Sequence, residues 1–219
     1  MFHHIHPYSP HIPENATKLI VGTLPPPRFT TGELKENDVD FCYGSGDGQL
    51  WVILDRIFNL DLKFETTDEA RIQRERFLEE RGIGICDMVA SAKRQKIDAS
   101  DIGMMEVQLR DLIKVIQNHP KIDTLLFTGG NSKNGPEYFF RKSIKAYHIK
   151  MKVVSNTPPR IHIFQLPDSD RMIKTVSLIA PSGSANRAVG SMELYKKMKA
   201  QNPDFTVIDF RVMQYAPFF

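Results

Sequence analysis

Short apolar runs alternate with longer amphipathic stretches along most of the chain. "KLIVGTL" (18–24) is a continuous apolar run of the kind that forms a buried strand. "GQLWVILDRIF" (48–58) follows, with Leu50, Trp51, Leu54, Ile57 and Phe58 at helical spacing. "TTDEARIQRERFLEERG" (66–82) predicts a charged surface helix, capped by Thr67 or Asp68 and stopped by Gly82. "IGICDMV" (83–89) predicts a second strand. "EVQLRDLIKVIQNHP" (106–120) predicts a helix with Leu109, Leu112, Ile113 and Ile116 inward and Pro120 closing it. "DTLLFTGG" (123–130) predicts a third strand, and "GPEYFFRKSIKAY" (135–147) a helix with Pro136 near its first turn. "KVVSN" (152–156) reads as an edge strand and "TVSLIAPS" (175–182) as a core strand. "AVGSMELYKKMKA" (188–200) reads as a helix, and "FTVIDFRV" (205–212) as a closing strand.

Strands separated by helical stretches predict an α/β protein. The expected form is a three-layer α/β/α sandwich around a central, mainly parallel sheet of about four core strands. No repeat, low-complexity tract or linker interrupts residues 1–219, so one domain is expected, with a His/Pro-rich arm at 1–17. In such sheets ligands bind beyond the carboxyl ends of the strands. The informative stretches are therefore Thr23 to Arg28, Asp87 to Ser91, Gly129 to Asn134, and Ala180 to Arg187.

Composition narrows the class only modestly. Of 219 residues, 41% are hydrophobic and 25% charged, which supports a packed core and excludes wholesale disorder. No apolar run approaches the roughly 20 residues that span a bilayer, so no membrane partner is expected. The N-terminal stretch has no basic region followed by an apolar one, and Cys42 and Cys86 follow no pattern. Reduced thiols in a cytoplasm are the expectation. The net charge of +3 permits an anionic partner without demanding one. His3, His4, His6 and His11 offer loose metal ligands. Their spacing falls short of a zinc site, which favours a proline-punctuated arm on the surface.

Four loops carry candidate chemistry. "APSGSANRA" (180–188) is small, polar and tight, and leads into a helix. It suits a phosphate, with Arg187 adding charge, or it is an ordinary cap by Ser184 or Asn186. "DVDFCYGSGDGQLW" (38–51) places Gly44, Gly46 and Gly48 beside aromatics. It is a close backbone approach to a ligand, with Tyr43 or Phe41 stacking on a planar ring, or a plain turn. Asp87 ends a buried run, where an acid must be paired with Arg94 or another base, or poised for a ligand. "FTGGNSKNG" (127–135) brings Asn131 and Asn134 to a glycine-rich turn that fits either reading.

Taken in order, these pieces resemble the uracil-DNA glycosylase superfamily. A Gly-x-x-Pro loop follows the first strand, here Gly22-Thr23-Leu24-Pro25. A base-stacking aromatic follows, here Tyr43, then "GSGDGQ" and the helix start Leu50-Trp51. A polar residue that reads the base edge ends the second strand, here Asp87. A late x-Pro-Ser loop, here with Pro181 and Ser182, enters the DNA. The hypoxanthine-DNA (deoxyinosine) glycosylase branch is the closest in look, through "CDMVAS" and "PSGSANRA". The resemblance spans most of residues 18–200.

What this implies is hydrolysis of the N-glycosidic bond of a deaminated base, hypoxanthine or uracil, by base flipping in DNA, without metal or cofactor. Gly22, Thr23, Leu24, Pro25, Tyr43, Asp87 and Asn131 would form the base pocket. Arg28, Ser182, Gly183, Ser184, Asn186 and Arg187 would meet DNA. Three positions depart from the family pattern. Leu24, Gly48 and Ala180 stand where relatives carry polar side chains. The alternative is thus a non-catalytic nucleic-acid or nucleotide binder of the same fold. Asp47, next to Gly48, is the expected water-positioning group. A small α/β-hydrolase-like enzyme ranks last, since no Gly-x-Ser-x-Gly elbow occurs. An ionised Asp87 only accepts hydrogen bonds, which fits hypoxanthine N1–H or uracil N3–H and disfavours adenine and cytosine. Pro25, Pro26 and Pro27 supply no N–H groups for a phosphate but make a stiff wall for a pocket.

Overall fold

A computed structural model describes all of residues 1–219. In chain order the first half contains β1 (Phe2–Ile5), β2 (Lys18–Val21), α1 (Pro27–Thr31), α2 (Leu50–Phe58), α3 (Asp68–Arg81), β3 (Ile83–Ile85), β4 (Val89–Arg94) and β5 (Met105–Leu109). The second half contains α4 (Leu112–Asn118), β6 (Thr124–Phe127), α5 (Pro136–Ser143), β7 (Lys152–Ser155), β8 (Arg160–Gln165), β9 (Met172–Ser177), α6 (Asn186–Ser191), α7 (Glu193–Gln201) and α8 (Val207–Tyr215). The fold is mixed α/β. Its main sheet has six strands in the order β3-β2-β6-β9-β8-β7. β3, β2, β6 and β9 run parallel, while β8 and β7 extend the sheet antiparallel. No helix is long and apolar enough to cross a membrane.

Successive side chains of a strand face opposite sides of a sheet, and the core divides accordingly. Leu19 and Val21 of β2, with Leu125 and Phe127 of β6, join Ile113, Ile116 and Phe140 of α4 and α5. Ile20 and Leu126, one position out of step, join Leu54 of α2, Phe77 of α3 and Tyr215 of α8. Continuous apolar runs such as "KLIV" and "TLLF" are needed because both faces of these strands are covered.

Several expectations change. The sheet has six strands rather than four, because the hairpin β7–β8 adds to β9, and β8 was not anticipated. "EVQLRDLIKVIQNHP" is not one helix. Met105–Leu109 forms β5 against β4, and the helix starts only at Leu112, where the Asp111 side chain accepts from Lys114 N. The alternating "EVQL" supplies the two-residue period, and β4 offers an open edge to pair with. "FTVIDFRV" is a helix, not a strand. Thr206 and Asp209 form a reciprocal capping box that opens α8. "AVGSMELYKKMKA" breaks into α6 and α7 at Met192, which is extended. "IGICDMV" is divided between two sheets, with β3 in the main sheet and Val89 starting β4 in a smaller one. Thr67, not Asp68, caps α3 by accepting from Ala70 N.

The His/Pro-rich arm is also not a surface arm. β1 pairs antiparallel with β4 and completes a three-stranded sheet in the order β1-β4-β5. His4 and His6 are buried. The alternation of "FHHIH" puts them on one face, and that face turns inward.

Candidate functional site

The parallel strands release their chains at one edge of the main sheet. A cavity of about 790 Å³ opens there, lined by Gly22 to Pro26, the glycine-rich loop around Tyr43, Asp87, Thr128 and Ala180 to Ser184. Loops far apart in sequence therefore meet around one space.

The floor is a hydrogen-bond network centred on Asp87, whose residue is only 6% exposed. Asp87 Oδ1 accepts from Gly22 N at 2.7 Å and from Tyr43 Oη at 2.9 Å. Asp87 Oδ2 meets His6 Nε2 at 3.0 Å. His6 Nδ1 accepts from Tyr8 N at 3.1 Å, which assigns the ring proton to Nε2. Of the two readings of Asp87, a pairing with Arg94 or another base and a group poised for a ligand, the pairing is present, and the base is His6. Arg94 instead donates to His4 Nδ1 at 2.7 Å and to Ser100 O. Burial and the Asp87 charge push the Tyr43 phenol well above its ordinary range, so it stays protonated and donates. Its hydroxyl also lies 3.1 Å from Thr128 Oγ1.

Gly22 permits this arrangement. A Cβ there would stand 2.2 Å from Tyr43 Oη and 2.9 Å from Asp87 Oδ1. Tyr43 itself adopts a φ of 58°, which turns its ring across the loop. Pro25 and Pro26 line the cavity, while Pro27 starts α1, where a missing N–H is harmless.

The glycine-rich loop is tied down by charge. Arg28 Nε and Nη2 hold Asp38 at 2.6 and 2.7 Å, and Arg28 Nη2 reaches Ser45 Oγ at 2.8 Å. Burial raises the Asp38 carboxyl, but the Arg28 bonds and the Lys35 and Gly46 amides outweigh it and draw it down to about 2. Arg28, expected to meet DNA, is bound to Asp38 and is not among the residues that line the cavity. Asp47 lies on the rim with its side chain 69% exposed, 2.9 Å from Lys35 Nζ and 3.3 Å from Arg28 Nη2. The Lys35 hydrogen bond holds its carboxyl below the usual range.

The late loop is clipped onto this wall. Gly48 and Ser182 pair as an antiparallel bridge, and Gln49 N donates to Pro181 O at 2.9 Å. Arg211 of α8 fastens both loops. It donates to Ala180 O at 3.1 Å, Ser182 O at 3.2 Å, Gln49 Oε1 at 2.7 Å and Asn186 Oδ1 at 2.8 Å. Asn186 thus takes part in holding the loop, and it is not among the residues that line the cavity. Ser182, Gly183 and Ser184 line the cavity, and Arg187 is exposed on α6 outside it.

Asn131 also lies elsewhere. It lines a separate groove with Tyr138 and Arg141, and Ser132 and Lys133 take its place at the cavity. Asn134 instead donates to Asp101 O at 2.9 Å and Met104 O at 3.2 Å. The histidines do not converge on a metal. His4 and His6 are taken by Arg94 and Asp87, and no group of three metal-ligating side chains gathers anywhere.

Sequence reasoning missed His6, Asp101, Thr128 and Arg211. The capping box Thr206-x-x-Asp209 was a legible signal for the helix that carries Arg211. The alternation of "FHHIH" sets His4 and His6 on one face, but nothing local names Asp87 as the partner of His6, and no local pattern marks Asp101. No family model, curated protein or solved structure matches the chain.

Proposed function

We propose that this protein is a base-flipping DNA glycosylase of the uracil-DNA glycosylase superfamily, acting on a deaminated base, with its sheet and helices in the three-layer α/β/α sandwich of that family. The supporting observation is the convergence of four separate loops on one cavity whose floor presents an acceptor. An ionised carboxylate offers about four lone-pair positions. Gly22, Tyr43 and His6 take three on Asp87, leaving one on Oδ2.

That position suits the N–H edge of hypoxanthine or uracil. The equivalent unprotonated nitrogen of adenine or cytosine would be repelled. Flipping takes the target nucleotide out of the stack and into such a pocket. Bond cleavage then leaves negative charge on the base and positive charge on the sugar. The backbone of the late loop, exposed at Gly183 and Ser184, supplies dipoles at the cavity. Ser182 to Ser184 would contact phosphate and fix register without reading sequence.

The alternative of a non-catalytic binder draws on a specific observation as well. Leu24 packs against the apolar core, and Asp47 is engaged by two cations. One panel separates the two. Single- and double-stranded oligonucleotides carrying uracil, hypoxanthine or xanthine are incubated with the protein and treated with alkali. Breaks at the lesion establish the glycosylase. Salt-sensitive binding with no breaks establishes the binder.

A further inference from the structure

Besides Asp47 and Asp87, a third carboxylate lines the same cavity. Asp101 opens a single 3₁₀ turn, Asp101–Gly103, in the connection between β4 and β5. That connection is folded back onto the cavity mouth by several ties. Arg94 Nη1 donates to Ser100 O, and Asn134 donates to Asp101 O and Met104 O. Ala99 to Ile102 thereby become lining residues. The Asp101 side chain is met by the first-strand loop, with Thr23 Oγ1 donating to Oδ1 at 2.8 Å across 78 residues of chain.

The other acidic side chains at this end of the sheet are engaged. Asp38 is fully buried and accepts from Arg28, Lys35 N and Gly46 N. Asp47 is exposed and salt-bridged to Lys35 and Arg28. Asp87 already holds three donors and faces the base edge. Asp101 makes no ion pair within 4.0 Å, and Oδ2 has no protein donor. We propose that Asp101 is the carboxylate that orients and deprotonates the attacking water. This rests on the hydrolytic reading above. It also answers the departure at Leu24. The first-strand loop presents no polar side chain of its own at that position, and the preceding residue, Thr23, holds one supplied by another loop.

The water oxygen bonds to sugar C1′, the C1′–N bond breaks, and its electron pair goes to the base nitrogen. One water proton passes to Asp101 Oδ2, and the base takes up a proton from solvent. Asp101 then returns its proton to solvent. One water is consumed, and a free base and a C1′–OH are formed.

The surroundings define the pH response. Burial raises the Asp101 carboxyl to about 6, with the Asp87 charge adding to it, while the Thr23 bond and Arg94 act the other way. Arg94 is itself 3.7 Å from Asp98. His6 is bonded to Asp87, Lys133 comes from the β6–α5 loop, and Asp47 lines the same cavity from the glycine-rich loop. A general base must be ionised, so base release should climb with pH up to about 6 and level above it.

The test measures single-turnover release of hypoxanthine and uracil from oligonucleotides by the full chain between pH 5 and 8, together with affinity for the same oligonucleotides. Asp101→Asn keeps the oxygen that accepts from Thr23. Release should fall by about 10²–10⁴-fold while affinity and unfolding midpoint hold. Thr23→Val removes the donor that favours the ionised form, so its acidic limb should shift to higher pH. Parent-like release by Asp101→Asn, or an unmoved limb in Thr23→Val, overturns the assignment and leaves the glycosylase reading standing. A parent protein that binds these oligonucleotides but frees no base overturns both.

Discussion

Two walls of different make carry the loops of the cavity, the second built up from its Asp87 floor, and both rest on aspartates. On one, Asp38 and Asp47 are held by the cations Arg28 and Lys35. On the other, Asp87 and Asp101 are held by Gly22 N, the Tyr43 and Thr23 hydroxyls and His6. The same side chain serves different ends in the two settings. A cation close by favours the ionised form and fixes geometry, which makes a scaffold. At Asp101, burial with a single hydroxyl donor and no cation within ion-pair distance leaves the carboxyl raised to about 6, able to exchange a proton. Residue type alone does not distinguish scaffold from chemistry here. The partner does.

Breaking the scaffold wall should have the largest effect. Asp38→Ala leaves Arg28 in a mostly buried position without its carboxylate, and should cost on the order of 3 kcal/mol in denaturant unfolding. A loss below about 1 kcal/mol, the value of a surface pair, would remove the distinction between the walls. On the other wall, Gly22→Ala drives a methyl into the Tyr43 hydroxyl and should cost about 1–3 kcal/mol. Oligonucleotide affinity should drop with it, since Tyr43 and Asp87 lose their common geometry. Unchanged affinity would separate the Asp87 network from binding.

Acid should also tell the walls apart. Burial, with Arg94 nearby, lowers the His4 imidazole from 6.5 to about 4. A depressed folded value means the stabilisation is present above 6.5 and is lost as pH falls toward 4. Asp38 is depressed from 3.8 to about 2, so its contribution persists to lower pH and is lost only across that range. The raised Asp101 carboxyl acts the other way over nearly the same range, since its protonation relieves a buried charge. The His4 part is therefore read as a difference: His4→Gln keeps an acceptor for Arg94 without titrating, and its melts should hold up better than the parent's as pH falls from 6.5 to 4. The smallest effect is expected from Asp47→Asn. Its exposed ion pairs are worth about 0–1 kcal/mol, and base release should match the parent protein. A hundredfold loss of release would return the water-orienting role to the rim.

Much of this site was legible along the chain. The Gly22 loop, Tyr43, Asp87 and the Pro181–Ser184 loop could be named because each is bounded by a hydrophobic run whose length and period announce a strand or helix. Local pattern also misled where two periods competed. "FTVIDFRV" alternates like a strand, yet its capping box makes it a helix. "EVQL" lies just ahead of a helical stretch, yet β4 draws it into a sheet.

The sequence by itself determined the buried parallel strands, the helices between them and the loops that end at one edge of the sheet. Those follow from hydrophobic periodicity and turn chemistry, which act over a few residues. Only the tertiary structure decided which polar side chain meets which. His6 reaches Asp87 across 81 residues, and Thr23 reaches Asp101 across 78. A hydrogen bond requires two groups within about 3 Å, and no composition or spacing along the chain encodes that proximity. The carboxylates were visible in the sequence. Their partners, and therefore their charge and their use, came from the fold.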